Sequence, residues 1–400
     1  MKTLFRNRLY LAVSLGHFTN DVFASAGPVL VTFLSIPMAL TGAQIGLAIG
    51  AFQFFSALSQ PFFGWLADRT GSRWLGPGSV AWIITFMSIA LVVAQQTNHY
   101  IWFLIFYLVA SLGSGAFHPL GTKHATEESG ERAAAGAAIF FLFGQSGLAS
   151  GPALAGVILG TIGLAGIYGL AFLAIPVVIY MVVAMQHTGI QPVDENSHTV
   201  SPQATQTKVQ WGAIVLLAVL VGLRSWTTIG TVSFLPKMFQ AMGWSPSAYG
   251  AITGAFWMSS AIFGVFAGTW ADRWGRRQVI FATLLIGSIT LFFLPMYDTW
   301  VAFLLAILTG GLLGASHSII VVIAQSLLPG RPAMASGIIL GYLFGVGAIA
   351  TWAIGWLADS WGLDAVIQAG AILTIISAVL ALFLPATREQ LQTRVEGVPA

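Results

Sequence analysis

The sequence predicts an all-α membrane protein: twelve transmembrane helices in two related six-helix bundles, with both termini cytoplasmic. Three observations lead there, namely a scarcity of charge, a series of long apolar runs and a half-length repeat. Of 400 residues, 16 are Lys or Arg and 13 are Asp or Glu, so 7% are charged while 57% are hydrophobic. A water-soluble surface needs roughly a quarter of its residues charged, and intrinsic disorder requires low hydrophobicity. A lipid-facing exterior is the class that remains.

The apolar runs fall at about 9–37, 43–66, 74–95, 100–122, 133–160, 164–186, 210–236, 247–271, 278–296, 300–327, 333–358 and 364–385. Each is near or above the ~20 residues that cross the ~30 Å hydrocarbon layer. They are continuously apolar and do not alternate, which indicates helices and not a barrel. Lys2, Arg6 and Arg8 precede the first run as in a signal peptide, but the run continues past Pro37 without a cleavage site and a polar mature domain. It is therefore expected to be a retained span. The one sizeable polar insert, around Pro192, Asp194, Glu195 and Pro202, divides the chain into an N-terminal bundle (1–186), a cytoplasmic linker (187–209) and a C-terminal bundle (210–400).

Orientation follows from the cations. With the N-terminus inside, fourteen of the 16 Lys and Arg lie in inner loops or the termini, Lys237 alone lies in an outer loop, and Arg224 lies within a span. This is a positive-inside pattern, and it places the chain in the cell (inner) membrane. It also accounts for the net charge of +3 without a nucleic-acid partner. The chain has no cysteine, which excludes disulfides, thiolate metal sites and a cysteine nucleophile.

The halves repeat. At an offset of 204, Gly46, Gly50, Gly64, Asp68, Arg69 and Gly71 map onto Gly250, Gly254, Gly268, Asp272, Arg273 and Gly275; at 201, Gly136 and Leu142-Phe143-Gly144 map onto Gly337 and Leu343-Phe344-Gly345. Parallel repeats of this kind place a binding site between the halves near the bilayer midplane. Glycines four apart, as in Gly42/Gly46/Gly50 and Gly250/Gly254, mark faces where helices approach closely.

The loop Gly64-Trp-Leu-Ala-Asp68-Arg69-Thr-Gly71-Ser-Arg73, with its second copy Gly268-Thr-Trp-Ala-Asp272-Arg273-Trp-Gly275-Arg276-Arg277, resembles the signature loop of the major facilitator superfamily. The resemblance covers the whole chain. It implies secondary transport, with these loops latching the cytoplasmic side in the outward-open state; the plainer alternative is a topology anchor. Gly147-Leu-Ala-Ser-Gly151-Pro152 in span five looks like that family's antiporter motif, a glycine–proline bend, though the usual adjacent glycine pair is spread out. A packing kink is the alternative. His17-Phe-Thr-Asn20-Asp21, Phe117-His118-Pro119 and Leu223-Arg224-Ser225-Trp226 are similar to the fosmidomycin-resistance branch, which implies drug export in exchange for protons.

Inside the spans, ionisable groups cost at least ~2.5–3.5 kcal/mol and point to function. Asp21 and Arg224 lie near the centres of spans one and seven, at matching places in the repeat, so they could face each other across a central cavity. His17, His118 and His317 fall on spans one, four and ten. The expected proton-coupling residues are Asp21, His118 and His317. The expected substrate-binding residues are His17, Asn20, Arg224, Trp226 and Gln53, with Phe18 and Phe23 shaping an apolar part of the cavity. A permanent Asp21–Arg224 salt bridge is the purely structural alternative.

Gly144-Gln-Ser146-Gly147 matches the GxSG of intramembrane serine proteases, but 45 glycines make that match easy by chance. There is no HExxH and no phosphate-binding loop. The chain is therefore expected to be a transporter and not an enzyme, with no cofactor or metal. Its expected partners are protons, a small drug-like or anionic organic compound such as a phosphonate antibiotic, and the bilayer, and it is expected to be a monomer. Proton-coupled uptake or facilitated transport of an organic anion or sugar is the alternative.

Overall fold

Twelve α-helices follow one another in the computed structural model, which describes residues 4–130, 133–186, 188, 210–327 and 332–385, with the side chains of 133–135 and 332–337 left aside. The linker, apart from Thr188, therefore lies outside the described residues, as do Lys2, Arg132, Lys208, Arg331, Arg388 and Arg394 of the charge argument. The helices are α1 (Arg8–Ser35), α2 (Gly42–Thr70), α3 (Leu75–Thr97), α4 (Tyr100–Glu127), α5 (Ala133–Thr161), α6 (Leu164–Ala184), α7 (Trp211–Ala241), α8 (Pro246–Trp274), α9 (Arg276–Phe293), α10 (Trp300–Leu327), α11 (Pro332–Trp361) and α12 (Leu363–Ala381).

Eleven of these are long and apolar enough to cross a membrane. The exception narrows the expectation of twelve apolar spans: α1 has the length, 28 residues, but falls short of the hydropathy of the other eleven. Ser14, His17, Thr19, Asn20, Asp21, Ser25 and Thr32 dilute it, and every one of them is buried. The polar side chains face protein, so the helix is enclosed by its neighbours in place of lipid.

Local chemistry sets the ends. The Asn7 side chain accepts from the amides of Leu9 and Tyr10 at the start of α1. Thr41 and Gln44 form a capping box on α2. Gly71 and Gly275 end α2 and α8 with φ of +77° and +91°, a conformation that favours glycine over residues bearing a Cβ. The repeated loop thus has the same geometry in both halves.

In the first half, α1 packs on α4, α5 and α6, and α3 on α4 and α6; in the second, α8 packs on α10, α9 on α12, and α7 on α11 and α12. The halves meet mainly where α2 lies against α11 and α5 against α8. These contacts concentrate at the face opposite the one where α1 begins and α12 ends. At this distal face a methyl group on Gly46 would overlap the Thr351 carbonyl, and one on Gly156 the Pro246 carbonyl. Ser35 accepts from Lys237 at 2.9 Å, and Gln240 donates to the Thr32 carbonyl at 2.8 Å. Toward the other, terminal face, Gly264, Gly268, Gly341 and Gly345 have nothing within 4 Å of an added methyl. The hydrogen bonds between halves among the described residues lie at the distal face or mid-depth. Among the described residues, the joints between the halves thus lie at the distal face and at mid-depth.

Candidate functional site

The buried polar residues of α1 assemble one cluster. His17 and Asp21, one helical turn apart, bring Nε2 and Oδ2 to 3.3 Å, and His118 from α4 brings its Nε2 to 3.4 Å from Oδ1. Asn20 Nδ2 donates to Asp21 Oδ1 at 2.9 Å and reaches Ser114 Oγ at 3.3 Å. Ser114, one turn before His118 on α4, is thus the second residue that this helix brings to the site.

The far side of each histidine is fixed by backbone. His17 Nδ1 lies 2.9 Å from the Phe140 carbonyl and His118 Nδ1 lies 2.8 Å from the Ser114 carbonyl. A carbonyl only accepts, so both Nδ1 atoms carry hydrogen. Each Nε2 then turns a lone pair toward the carboxylate unless a further proton sits between them. Three acceptors converge on a space that needs protons to be stable.

The aromatic and glycine surroundings hold this arrangement. His17 stacks on Phe140 at 4.1 Å and meets His118 edge-on at 5.3 Å. Gly144 of α5 lies flat against the His17 ring, and an added methyl would come within 2.5 Å of Nε2. Gly147 meets the Phe18 carbonyl and Asp21 Cβ, and Gly151 meets Ser25. The expected span-five bend therefore contributes a seat for α1: Gly147 and Gly151 are the flat face, and α5 continues as helix through Pro152. Asp21 and His17 are almost enclosed, at 6% and 4% of side-chain exposure, whereas His118 retains 29%. Access to the carboxylate runs past His118. The three ligand atoms lie within 4.8 Å of one another, close enough to meet on one small cation.

Arg224 is elsewhere. It is 2% exposed, and its Nε and Nη2 donate to the Leu313 carbonyl at 3.2 and 2.9 Å, with Nε also 2.6 Å from Ser316 Oγ. Among the described residues no carboxylate pairs with it. The permanent Asp21–Arg224 salt bridge is therefore not formed among the described residues, because each side chain is held by partners in its own half. His317 falls with Arg224, whose charge acts on it, and not with Asp21 and His118. Gln53 Nε2 reaches Ser233 Oγ on α7 at 3.4 Å and Ser233 in turn faces Thr351 on α11, so it bridges the halves. Trp226 packs against the core. Phe18 and Phe23 line an apolar pocket between α1, α5 and α6 with Leu154 and Leu173, away from the polar cluster.

In the repeated loop, Asp68 pairs with Lys123 of α4 at 2.8 Å, inside its own half. Arg69 lies over Trp65, Arg73 over Trp74 and Arg273 over Trp274. Asp272 makes no salt bridge among the described residues. A methyl group on Gly64 would lie 3.5 Å from Pro119, and Arg276 and Arg277 open α9. Sequence reasoning missed Phe140 and Gly144. The Leu142-Phe143-Gly144 repeat marked that stretch, but nothing in it signalled that a carbonyl and a missing side chain would hold His17.

A multi-pass helical protein with polar groups buried on its helices, its two halves joined chiefly at one face, has the form of a membrane transporter. The chain belongs to the Major Facilitator Superfamily, whose family model matches residues 9–229 and 214–400. It is 28% identical over 386 residues to the fosmidomycin resistance protein of Escherichia coli (strain K12), covering 95% of this chain and 93% of that one. It is likewise 28% identical over 390 residues to YfnC of Bacillus subtilis (strain 168), an uncharacterized MFS-type transporter, with 95% and 93% covered. Among solved structures, a bacterial homologue of the human lysosomal transporter Spinster, inward-facing and occupied, superposes with TM-score 0.76 at 15% identity over 95% of this chain and 97% of that one. A D-xylose–proton symporter superposes at 0.72 with 16% identity over 95% and 98%.

Proposed function

We propose that this transporter is a proton-coupled exporter of a small anionic or drug-like organic compound, working by alternating access in the inner membrane. In this reading the two six-helix halves rock about a site between them, the terminal face is cytoplasmic, and the arrangement described here is the inward-facing state. The carrying observation is the convergence of two histidine lone pairs on Asp21, with both Nδ1 hydrogens already committed to carbonyls. Such a cluster gains or loses protons and changes geometry when it does. Without the proton, Nε2 and the carboxylate repel at 3.4 Å, and His118, the exposed member, swings away.

Arg224 supports an anionic substrate. Among the described residues it is a buried cation without a carboxylate partner, and its guanidinium suits a phosphonate or carboxylate. The printed name of the Escherichia coli relative makes fosmidomycin, a phosphonate, the first compound to try. Exchange requires substrate and proton to compete, which follows if a polar group of the substrate takes the carboxylate's place beside His118. A second reading rests on the same Arg224: a proton on the cluster adds positive potential that would hold an anion more tightly, giving uptake with the proton. The sign of the proton change separates them. Addition of fosmidomycin to purified protein in weakly buffered detergent is expected to release protons. Proton uptake would establish the second reading, and no change despite binding would remove proton coupling altogether.

A further inference from the structure

Gly355-Trp356-Leu357-Ala358-Asp359, near the end of α11, repeats Gly64-Trp65-Leu66-Ala67-Asp68 of α2 letter for letter. The half-repeat does not account for it, since α2 corresponds to α8 and the offset here is 291 instead of 204. The two copies end helices that lie against each other, one from each half. They sit at opposite faces, because α2 begins at the distal face, where α11 ends.

The Asp359 carboxylate accepts from the backbone amides of Gly42 at 2.5 Å and Ala43 at 2.8 Å, the first two of α2. The third, Gln44, is held by Thr41 of its own chain segment at 3.2 Å. The N-terminus of α2 is thus capped jointly, two amides by the opposite half and one by its own. Helix N-termini carry partial positive charge and unpaired amides, so a carboxylate there is stabilising. Asp68, the equivalent residue of the other copy, is turned to Lys123 in its own half. Close packing beneath the cap makes it sensitive to rocking: methyl groups on Gly42, Gly46 or Gly50 would overlap the backbone of Gly355, Thr351 or Ala348. Separation of the halves at this face has to break both Asp359 bonds at once.

We propose that Asp359 is a latch for the state in which the distal face is closed, and that its capping of α2 sets the ratio of the two transport states. The proposal rests on the alternating-access reading given above. Charge-assisted hydrogen bonds are worth more than neutral ones but less when exposed. Loss of the carboxylate is therefore expected to move the ratio toward distal opening by about tenfold.

The cysteine-free chain allows the test by distance measurement between spin labels in full-length protein in nanodiscs. One pair, His99→Cys with Thr299→Cys, reports the distal face; another, Thr70→Cys with Gln278→Cys, reports the terminal face. D359A is expected to lengthen the distal distances and shorten the terminal ones together. D359N, nearly isosteric and able to accept through one oxygen, is expected to fall between D359A and wild type and guards against misfolding. T41A removes the cap supplied within the first half, so it is expected to leave the ratio unchanged. Two populations in wild type whose ratio neither Asp359 variant moves would overturn the latch. Loss of distal closure without the reciprocal change at the terminal face would also overturn it, since that is local loosening. A single population in wild type and every variant would instead overturn the alternating-access reading, and the latch with it.

Discussion

Gly250→Ala adds one methyl group at the place where α5 and α8 come closest. The new Cβ would sit 2.8 Å from Gly156 Cα and overlap the Pro152 carbonyl. Carbon–carbon contacts are optimal at about 3.5–4.0 Å, so the two backbones must part by about 1 Å. No side chain can rotate away, because both obstacles are main chain. Overpacking of this kind costs about 1–3 kcal/mol, and here it is felt only when the distal face is closed. A difference of that size shifts a two-state ratio by about 5- to 150-fold. The assay is labelling of Thr32→Cys, buried behind the distal seal, by an impermeant maleimide applied from the distal side. G250A is expected to raise the labelling rate by at least fivefold. Gly169→Ala, whose methyl meets nothing within 4 Å, is expected not to. Equal labelling of wild type and G250A would refute the claim that this glycine contact is part of the seal.

Two further predictions concern the polar sites. Gly144→Ala forces the His17 ring off the Phe140 carbonyl and away from Asp21, and is expected to slow proton-coupled flux in proteoliposomes by at least tenfold while leaving fosmidomycin binding, measured by calorimetry, within a factor of three. Arg224→Lys cannot reproduce the paired contacts to Leu313 and Ser316 and presents a point charge in place of a planar fork; calorimetry is expected to show anion affinity lowered by about tenfold or more.

Charge scarcity, run length and the repeated Gly–Asp–Arg loop made the fold legible in the sequence, since each is a direct consequence of living in lipid. α1 is the instructive exception: the residues that lower its hydropathy are the ones that build the site. Helical spacing was enough to join His17 to Asp21, one turn apart. Placing His118 beside them required the packing of α4 on α1, which no spacing encodes. Whether Asp21 and Arg224 pair was not legible in the sequence, since matched positions in a repeat do not fix partners; each side chain found them within its own half. Asp359 passed unnoticed because its role depends on a helix end more than 300 residues away in sequence.

In the proposed mechanism Asp21, with His17 and His118, carries the proton. The most direct measurement compares wild type and Asp21→Asn in proteoliposomes, following fosmidomycin both in exchange without a gradient and in accumulation driven by an imposed pH gradient. Asparagine keeps the shape but carries no negative charge to hold a proton. D21N is expected still to exchange substrate but no longer to accumulate it when the gradient is applied. Gradient-driven accumulation by D21N at the wild-type rate would contradict it.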